Sequence, residues 1–299
     1  LTTRFEFVDP LTTLEMVLGL LNILLLLEGI RRAVVPAMSI LIGVFFLYLY
    51  AAPHLSGVFY CKPLPLSEFI EMEYMLTDTG IYGSITGISA TFVALFVIFG
   101  SIMEGTQTGK FFTDLACRLA GKSRGGPAKV AVVSSAFFGS ISGVAAANVY
   151  ATGTFTIPMM KRLGYRPQFA GAVEAVASSG GQYMPPIMGA GAFVMSEITN
   201  IPYLDICIAA ALPALAYYAS LVIRVHFIAV KDNLTGMKEE DMMVPLSAII
   251  RDAYLLIPLV GLVVMLVVGY SVFMSAMAAI VLSFVISFFK KKTAMTPRR

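Results

Sequence analysis

Residues Lys129–Lys161 read KVAVVSSAFFGSISGVAAANVYATGTFTIPMMK, and the charges at the two ends decide how the chain is arranged. Between the lysines lie the 31 mostly apolar residues 130–160. Two full membrane crossings would need about 40 residues, because a helix rises about 1.5 Å per residue through a hydrocarbon core about 30 Å thick. A single crossing would leave the two lysines on opposite sides, where the flanking basic residues do not permit them. A re-entrant hairpin of two half-helices, dipping in and returning, satisfies both constraints. Its tip falls near Ser140–Asn148, where the run GSISG at 139–143 and Asn148 supply flexible backbone and side-chain oxygens. Non-helical backbone at that depth persists only inside protein or beside a water-filled cavity.

The composition around this stretch excludes a soluble domain. The chain has 299 residues, 58% of them hydrophobic and 13% charged, with a mean hydropathy of +0.83. Soluble domains carry roughly a quarter charged residues. Nucleic-acid binding and a disulfide-stapled secreted fold are excluded with it. Cys61, Cys117 and Cys207 are far apart and form no CxxC, so no metal knuckle is implied. Full spans are expected at Leu11–Ile30, Val34–Ala52, Ser84–Met103, Leu204–Ile228, Ala253–Tyr270 and Ser271–Phe289. Residues 61–80 form an amphipathic interfacial piece with Glu68, Glu71, Glu73 and Asp78 on its polar side.

Basic residues orient the spans, since Lys and Arg accumulate on the cytoplasmic side. With the start outside and the 31–33 loop inside, only Arg4 and Lys62 of the 21 Lys and Arg fall outside. The inside set includes Arg31, Arg32, Lys110, Lys129, Lys161, Arg166, Lys238 and Lys290–Lys292. Residues 168–200 then cross once, interrupted by SSGGQYMPP at 178–186. Pro185 and Pro186 lack amide protons and disfavour helix before them, so the helix breaks near mid-membrane and leaves backbone groups free. A hairpin tip and a broken helix at one depth mark a secondary-transporter site, where unwound carbonyls hold sodium and half-helix N-termini face an anion.

Each motif has a plainer reading. The small residues at the tip permit close helix packing, but Asn148 and the hydroxyls of Ser134, Ser135, Ser140, Ser142 and Thr152 exceed what packing needs. A packing kink needs one proline, not two. Glu174 is an acid well inside a span, either functional or paired with a backbone amide or Arg166. Asn22 reads as glue between helices, and His226, near a span end without an acid or cysteine at ligand spacing, as structural. Enzyme signatures fail: the centre of GSISG is Ile141, not a nucleophilic serine, and Gly121-Lys122-Ser123 lacks the preceding glycine of a P-loop.

The run Arg124–Ala136, continued by Phe138–Asn148, resembles the first hairpin of the large membrane subunit of tripartite ATP-independent periplasmic (TRAP) transporters. So does Thr156–Glu174, and Ala177–Pro186 is similar to the family's unwound segment. The likeness is closest to the variety in which small and large membrane components are fused, and it runs from about Asp9 to about Phe289. It implies an elevator-type, sodium-coupled importer of organic acids such as C4-dicarboxylates. A periplasmic solute-binding protein delivers the substrate, and the coupling ion is Na+ with no other cofactor. Carried over by motif, Ser140, Ser142, Gly143 and Asn148 line a sodium site with Ser179, Gly180 and Gln182. Pro185 and Pro186 fix the break, with Thr152, Glu174, Gly181 and Tyr183 around the substrate pocket. Val144 departs from the serine usual after Ser-Gly, and Tyr183 replaces an aliphatic residue.

The expectation is therefore an all-α polytopic protein of a bacterial or archaeal inner membrane, in contact with lipid and no nucleic acid. Residues 1–83 form N-terminal membrane helices and the interfacial segment. Residues 84–236 form the transport region, with hairpin 130–160 and broken helix 168–200. Residues 237–299 add further helices. Only the first of two inverted repeats is recognisable, so the chain reads as a piece of a longer transporter whose remaining half is missing. Two other readings stay open: a sodium/anion symporter needing no binding protein, and a non-transporting scaffold.

Overall fold

The computed structural model describes residues 10–76, 80–106, 108–237 and 245–288. Arg4, Asp78, Lys238, Phe289, Lys290–Lys292, Arg298 and Arg299 lie outside the described residues. The described chain is helical and contains no strand. It divides into two compact units, residues 1–87 and 88–299.

In the first unit, α1 (Thr13–Ala33) starts at a capping box: the Thr12 amide donates to Glu15 Oε2 at 2.8 Å, and the Glu15 amide donates to Thr12 Oγ1 at 3.4 Å. These bonds satisfy two donors that a helix start leaves free. Arg31 and Arg32 close its last turn, complementing the negative helix end and both bound to Glu28. α2 (Pro36–Ala51) begins on a proline, which needs no amide partner there. The unit's small core joins Ile23 to Phe69 and Ile70, with Phe46 edge-on to Phe69 at 5.1 Å. Asn22 donates to the Tyr82 hydroxyl at 2.6 Å, fixing the turn that precedes the next helix.

Within residues 61–76, one acid of the expected polar side turns inward. α3 (Leu66–Ile70) runs into a π-helical turn at Glu71–Met75, and Phe69, Ile70 and Glu71 are all buried. Glu71 is therefore not on an open polar face. Glu68, one turn earlier, stays exposed.

The second unit packs α5 (Ala94–Gly105), α13 (Ile257–Val268) and α14 (Val272–Ser287) around Phe96, Phe99, Met103, Leu262, Leu266, Ala276 and Ala279. α4 (Ser84–Ile88) leads into α5 through a π-helical stretch at Ser89–Val93. Among the described residues, five helical runs are long and apolar enough to cross a membrane: Thr13–Ala33, Pro36–His54, Ser84–Gly105, Tyr203–Lys231 and Ser247–Val268. The last begins earlier than the expected Ala253, because α12 (Leu246–Asp252) continues through a 3-10 turn into α13. The sixth expected span is the 16-residue α14, short for a perpendicular crossing, which takes about 20 residues.

Candidate functional site

α6 (Thr108–Ala120) precedes a tight turn in which Gly125 adopts φ +76°, and α7 (Gly126–Ser142) starts there with Pro127 in its first turn. α7 ends where Gly143 takes φ +61°, a left-handed conformation that suits glycine, and its amide caps Gly139 O at 3.1 Å. After one extended residue, Val144, α8 (Ala145–Arg162) begins. The chain thus folds back at Gly143-Val144, inside the expected tip of 140–148. α9 (Pro167–Ser179) then narrows into a 3-10 turn at Gly180–Gln182, and regular helix resumes only with α10 (Ala190–Thr199). The Gly189 amide closes this irregular loop onto Gln182 O at 2.9 Å.

Tip and break meet without side chains between them. A Cβ placed on Gly139 would lie 2.5 Å from the Cα of Gly181; one on Gly181 would lie 2.8 Å from the Cα of Gly139 and 3.2 Å from Asn148 Nδ2. At the tip itself, Gly143 faces the carbonyl of Met188 so closely that no Cβ fits. Asn148, fully buried, donates from Nδ2 to Ser135 O at 2.9 Å and to Ser178 O at 3.5 Å, tying both hairpin arms to the end of α9.

The residues expected at the site fall into three groups. Gly143, Asn148 and Gly181 sit where hairpin and break touch, whereas Gly180 faces the rings of Tyr217 and Tyr218. Ser140 and Ser142 lie on the last turn of α7: Ser140 donates to Phe137 O at 2.7 Å, whereas the buried Ser142 Oγ has no hydrogen-bond partner. Ser179, Gln182 and Tyr183 are exposed on the outer side of the break, with Ser179 donating to Ala175 O at 2.8 Å and Tyr183 edge-on to Tyr217 at 5.9 Å. Pro185 and Pro186 lie half-buried in the irregular loop.

Thr152 and Glu174 belong to a buried cluster that Thr152 joins to Asn148. Glu174 is fully buried and pairs neither with Arg166 nor with a backbone amide. Its carboxyl accepts from the hydroxyls of Thr152 (2.5 Å), Ser135 (3.1 Å), Ser178 (3.3 Å) and Thr156. The sequence reading missed Thr156 and Ser178, although their spacing was visible: Asn148, Thr152 and Thr156 form one stripe of α8, as Glu174 and Ser178 do on α9.

It also missed three tyrosines of α11 (Tyr203–Lys231). Tyr217 and Tyr218 donate to Val176 O (2.7 Å) and Ala177 O (3.1 Å), carbonyls of the last turn of α9; Ala177 O also accepts the Gly180 amide. Tyr203 donates to Ile187 O at 2.5 Å and Pro186 O at 2.9 Å, inside the irregular loop. A backbone carbonyl carries no sequence signature, so nothing pointed to these partners. His226, on the same helix, lies 3.2 Å from Lys129 Nζ.

A hollow of about 610 Å³ lies between α6 and the C-terminal half of α8, lined by Lys110, Asp114, Cys117, Phe155 and Arg162 among others. Burial raises the Asp114 carboxyl above its ordinary range, with Lys110 opposing, and pushes the Cys117 thiol up to about 11.

Residues 21–298 match the family described as "Tripartite ATP-independent periplasmic transporter, DctM component". The chain is 29% identical over 151 residues to the uncharacterized protein y4mL of Sinorhizobium fredii, covering 50% of this chain and 36% of that protein. It is 28% identical over 142 residues to the C4-dicarboxylate TRAP transporter large permease protein DctM of Vibrio cholerae, 48% of this chain and 31% of that one. Over 105 residues it is 31% identical to the isethionate TRAP transporter permease protein DctMQ of Oleidesulfovibrio alaskensis, 35% of this chain and 16% of that one. The chain thus spans about a third or less of the length of these curated relatives. With several helices apolar enough to cross a membrane and a family match over most of its length, the chain belongs to the DctM components of TRAP transporters and is a multi-pass membrane protein.

Proposed function

We propose that the chain forms part of the permease of a sodium-coupled, binding-protein-dependent importer of organic acids in a bacterial inner membrane. The observation that carries this reading is the seating of the hairpin tip on the helix break, Gly139 on Gly181 and Gly143 on the carbonyl of Met188. Two interrupted helices in contact gather backbone oxygens with no side-chain bulk, and interrupted helices of this kind build ion and substrate sites in secondary transporters. The donor set fits sodium, a hard cation that favours oxygen ligands. The buried, unpartnered Ser142 hydroxyl lies at the tip, and Asn148 joins both hairpin arms to the carbonyl of Ser178. Relatives named for C4-dicarboxylate, isethionate and 2,3-diketo-L-gulonate transport support an organic anion as substrate.

In this reading α7 and α8 are the arms of a re-entrant hairpin, dipping from the cytoplasm and returning. Sodium binds at the tip with Ser140, Ser142, Gly143, Asn148, Ser179, Gly180 and Gln182 nearby. Its charge prepares the break, including Thr152, Gly181, Tyr183 and the loop of Pro185 and Pro186, for a carboxylate. Loading shifts the population between inward and outward states only through a difference in sodium and substrate affinity between them. The moving part travels as an elevator, with a second inverted repeat completing the site and a periplasmic protein delivering the acid.

The test is sodium-dependent stabilisation of the complete transporter in detergent, wild type against Ser142→Ala and Asn148→Ala. Sodium, but not potassium, should raise the melting temperature of the wild type, and each variant should weaken that response. Equal responses to both ions, unchanged in both variants, would remove sodium from the tip.

A further inference from the structure

We propose that Glu174 is a proton-carrying site, taking up and releasing a proton as the hairpin α7–α8 closes on and separates from α9. The proposal rests on the transport reading only for its place in a cycle; the exchange itself is a property of this cluster. Glu174 is fully buried, and Gly153 of α8 packs so closely that a Cβ there would lie 3.1 Å from its Cγ. The groups facing it come from every element packed there: Ser135 of α7, Thr152 and Thr156 of α8, Ser178 of its own helix, all of them hydroxyls. Lys129 opens α7, Lys161 and Arg162 close α8, and Arg166 precedes α9. None forms an ion pair with Glu174, and Arg166 is eight residues away along the helix, about 12 Å at 1.5 Å per residue. From α11 the facing titratable groups are Tyr217 and Tyr218, whose hydroxyls are engaged by carbonyls of α9. A carboxylate enclosed without a cation is costly, and a proton is the smallest ion that neutralises it in place.

The hydroxyls are arranged for both charge states. Thr152 Oγ1 can donate to the carboxyl or, at 2.8 Å, to Asn148 O; Thr156 Oγ1 can donate to the carboxyl or, at 3.1 Å, to Thr152 O. When Glu174 is ionised, the four hydroxyls turn to it. When a proton arrives on Oε2, that O–H donates to Thr156 Oγ1, and Thr156 turns its own hydrogen to Thr152 O. A hydroxyl can donate and accept at once, so the exchange needs rotations and no movement of heavy atoms. On release the proton returns to water once the hairpin separates from α9. Thr152 also reaches Asn148 Oδ1 at 3.3 Å, and Asn148 holds Ser178 O, so the cluster senses whether hairpin and break are joined.

The test is pH-difference infrared spectroscopy of the purified protein in lipid nanodiscs, comparing wild type with Glu174→Gln. The wild type should show a neutral carboxylic-acid carbonyl band that appears and disappears with pH, and Glu174→Gln should lose it. Coincident spectra from the two proteins would overturn the proposal. If Glu174→Gln fails to fold, Thr156→Val serves instead. It should move the band's midpoint, and a titrating band unmoved by that change would assign the proton elsewhere and overturn the proposal. The readout needs no transport: a band lost in Glu174→Gln upholds the proton site even where sodium-driven uptake is absent, which would count against the transport reading alone.

Discussion

Helix α2 and helix α7 have similar lengths and opposite surroundings. α2, PAMSILIGVFFLYLYA, is almost wholly apolar and has no buried residue; α7 carries Ser134, Ser135, Ser140 and Ser142 and is buried along most of its length. In a soluble protein the order would be reversed. Lipid tails are as apolar as leucine, so apolar surface gains little by turning inward, whereas hydroxyls and backbone breaks must find partners inside the protein. Hydropathy therefore marks where this chain meets lipid, and its interruptions mark where polar groups and irregular backbone pack inside the protein.

The contrast breaks first if close backbone contact in the hairpin proves tolerant of bulk. Gly139→Val or Gly181→Val should cost at least about 3 kcal/mol, because both neighbours are backbone and neither can move aside. Loss of the monodisperse folded peak on gel filtration, or a sharply lower melting temperature, would register it. Next in size is Glu174→Ala, which strips the shared acceptor from four enclosed hydroxyls and should cost roughly 2–4 kcal/mol in the same assay. Tyr218→Phe leaves the Ala177 carbonyl without its 3.1 Å partner, an effect of about 1 kcal/mol read by thermal unfolding. Leu47→Ala in α2, 72% exposed in the protein alone, should stay within about 0.5 kcal/mol. A Leu47→Ala effect as large as that of Glu174→Ala would erase the distinction.

The sequence made the helix–turn–helix legible because the constraint was arithmetical: two lysines and too few residues between them for two crossings. The turn at Gly143 and the break at Gly180 fall on glycines that the sequence displays openly. What stayed hidden depends on which faces meet. Glu174 stood out as an intramembrane acid, yet its partners lie on α7, α8 and α9, and neither Arg166 nor a backbone amide, the two structural alternatives, is among them. Tyr203, Tyr217 and Tyr218 looked like span residues, and their task appears only once the carbonyls around the break are located. Glu71, placed with Glu68 on one polar side, is buried beside Phe69 and Ile70, a packing that helix periodicity does not reveal.

The central claim is that tip and break together couple sodium to the uptake of an organic acid. The direct measurement is uptake of labelled C4-dicarboxylates and other organic acids into proteoliposomes holding the complete transporter, with an imposed sodium gradient, adding and omitting the cognate periplasmic protein. The account predicts accumulation only when the gradient and the soluble protein are both present, and its loss in Asn148→Ala. Accumulation without the soluble protein, or none under any sodium gradient with correctly folded protein, would contradict it.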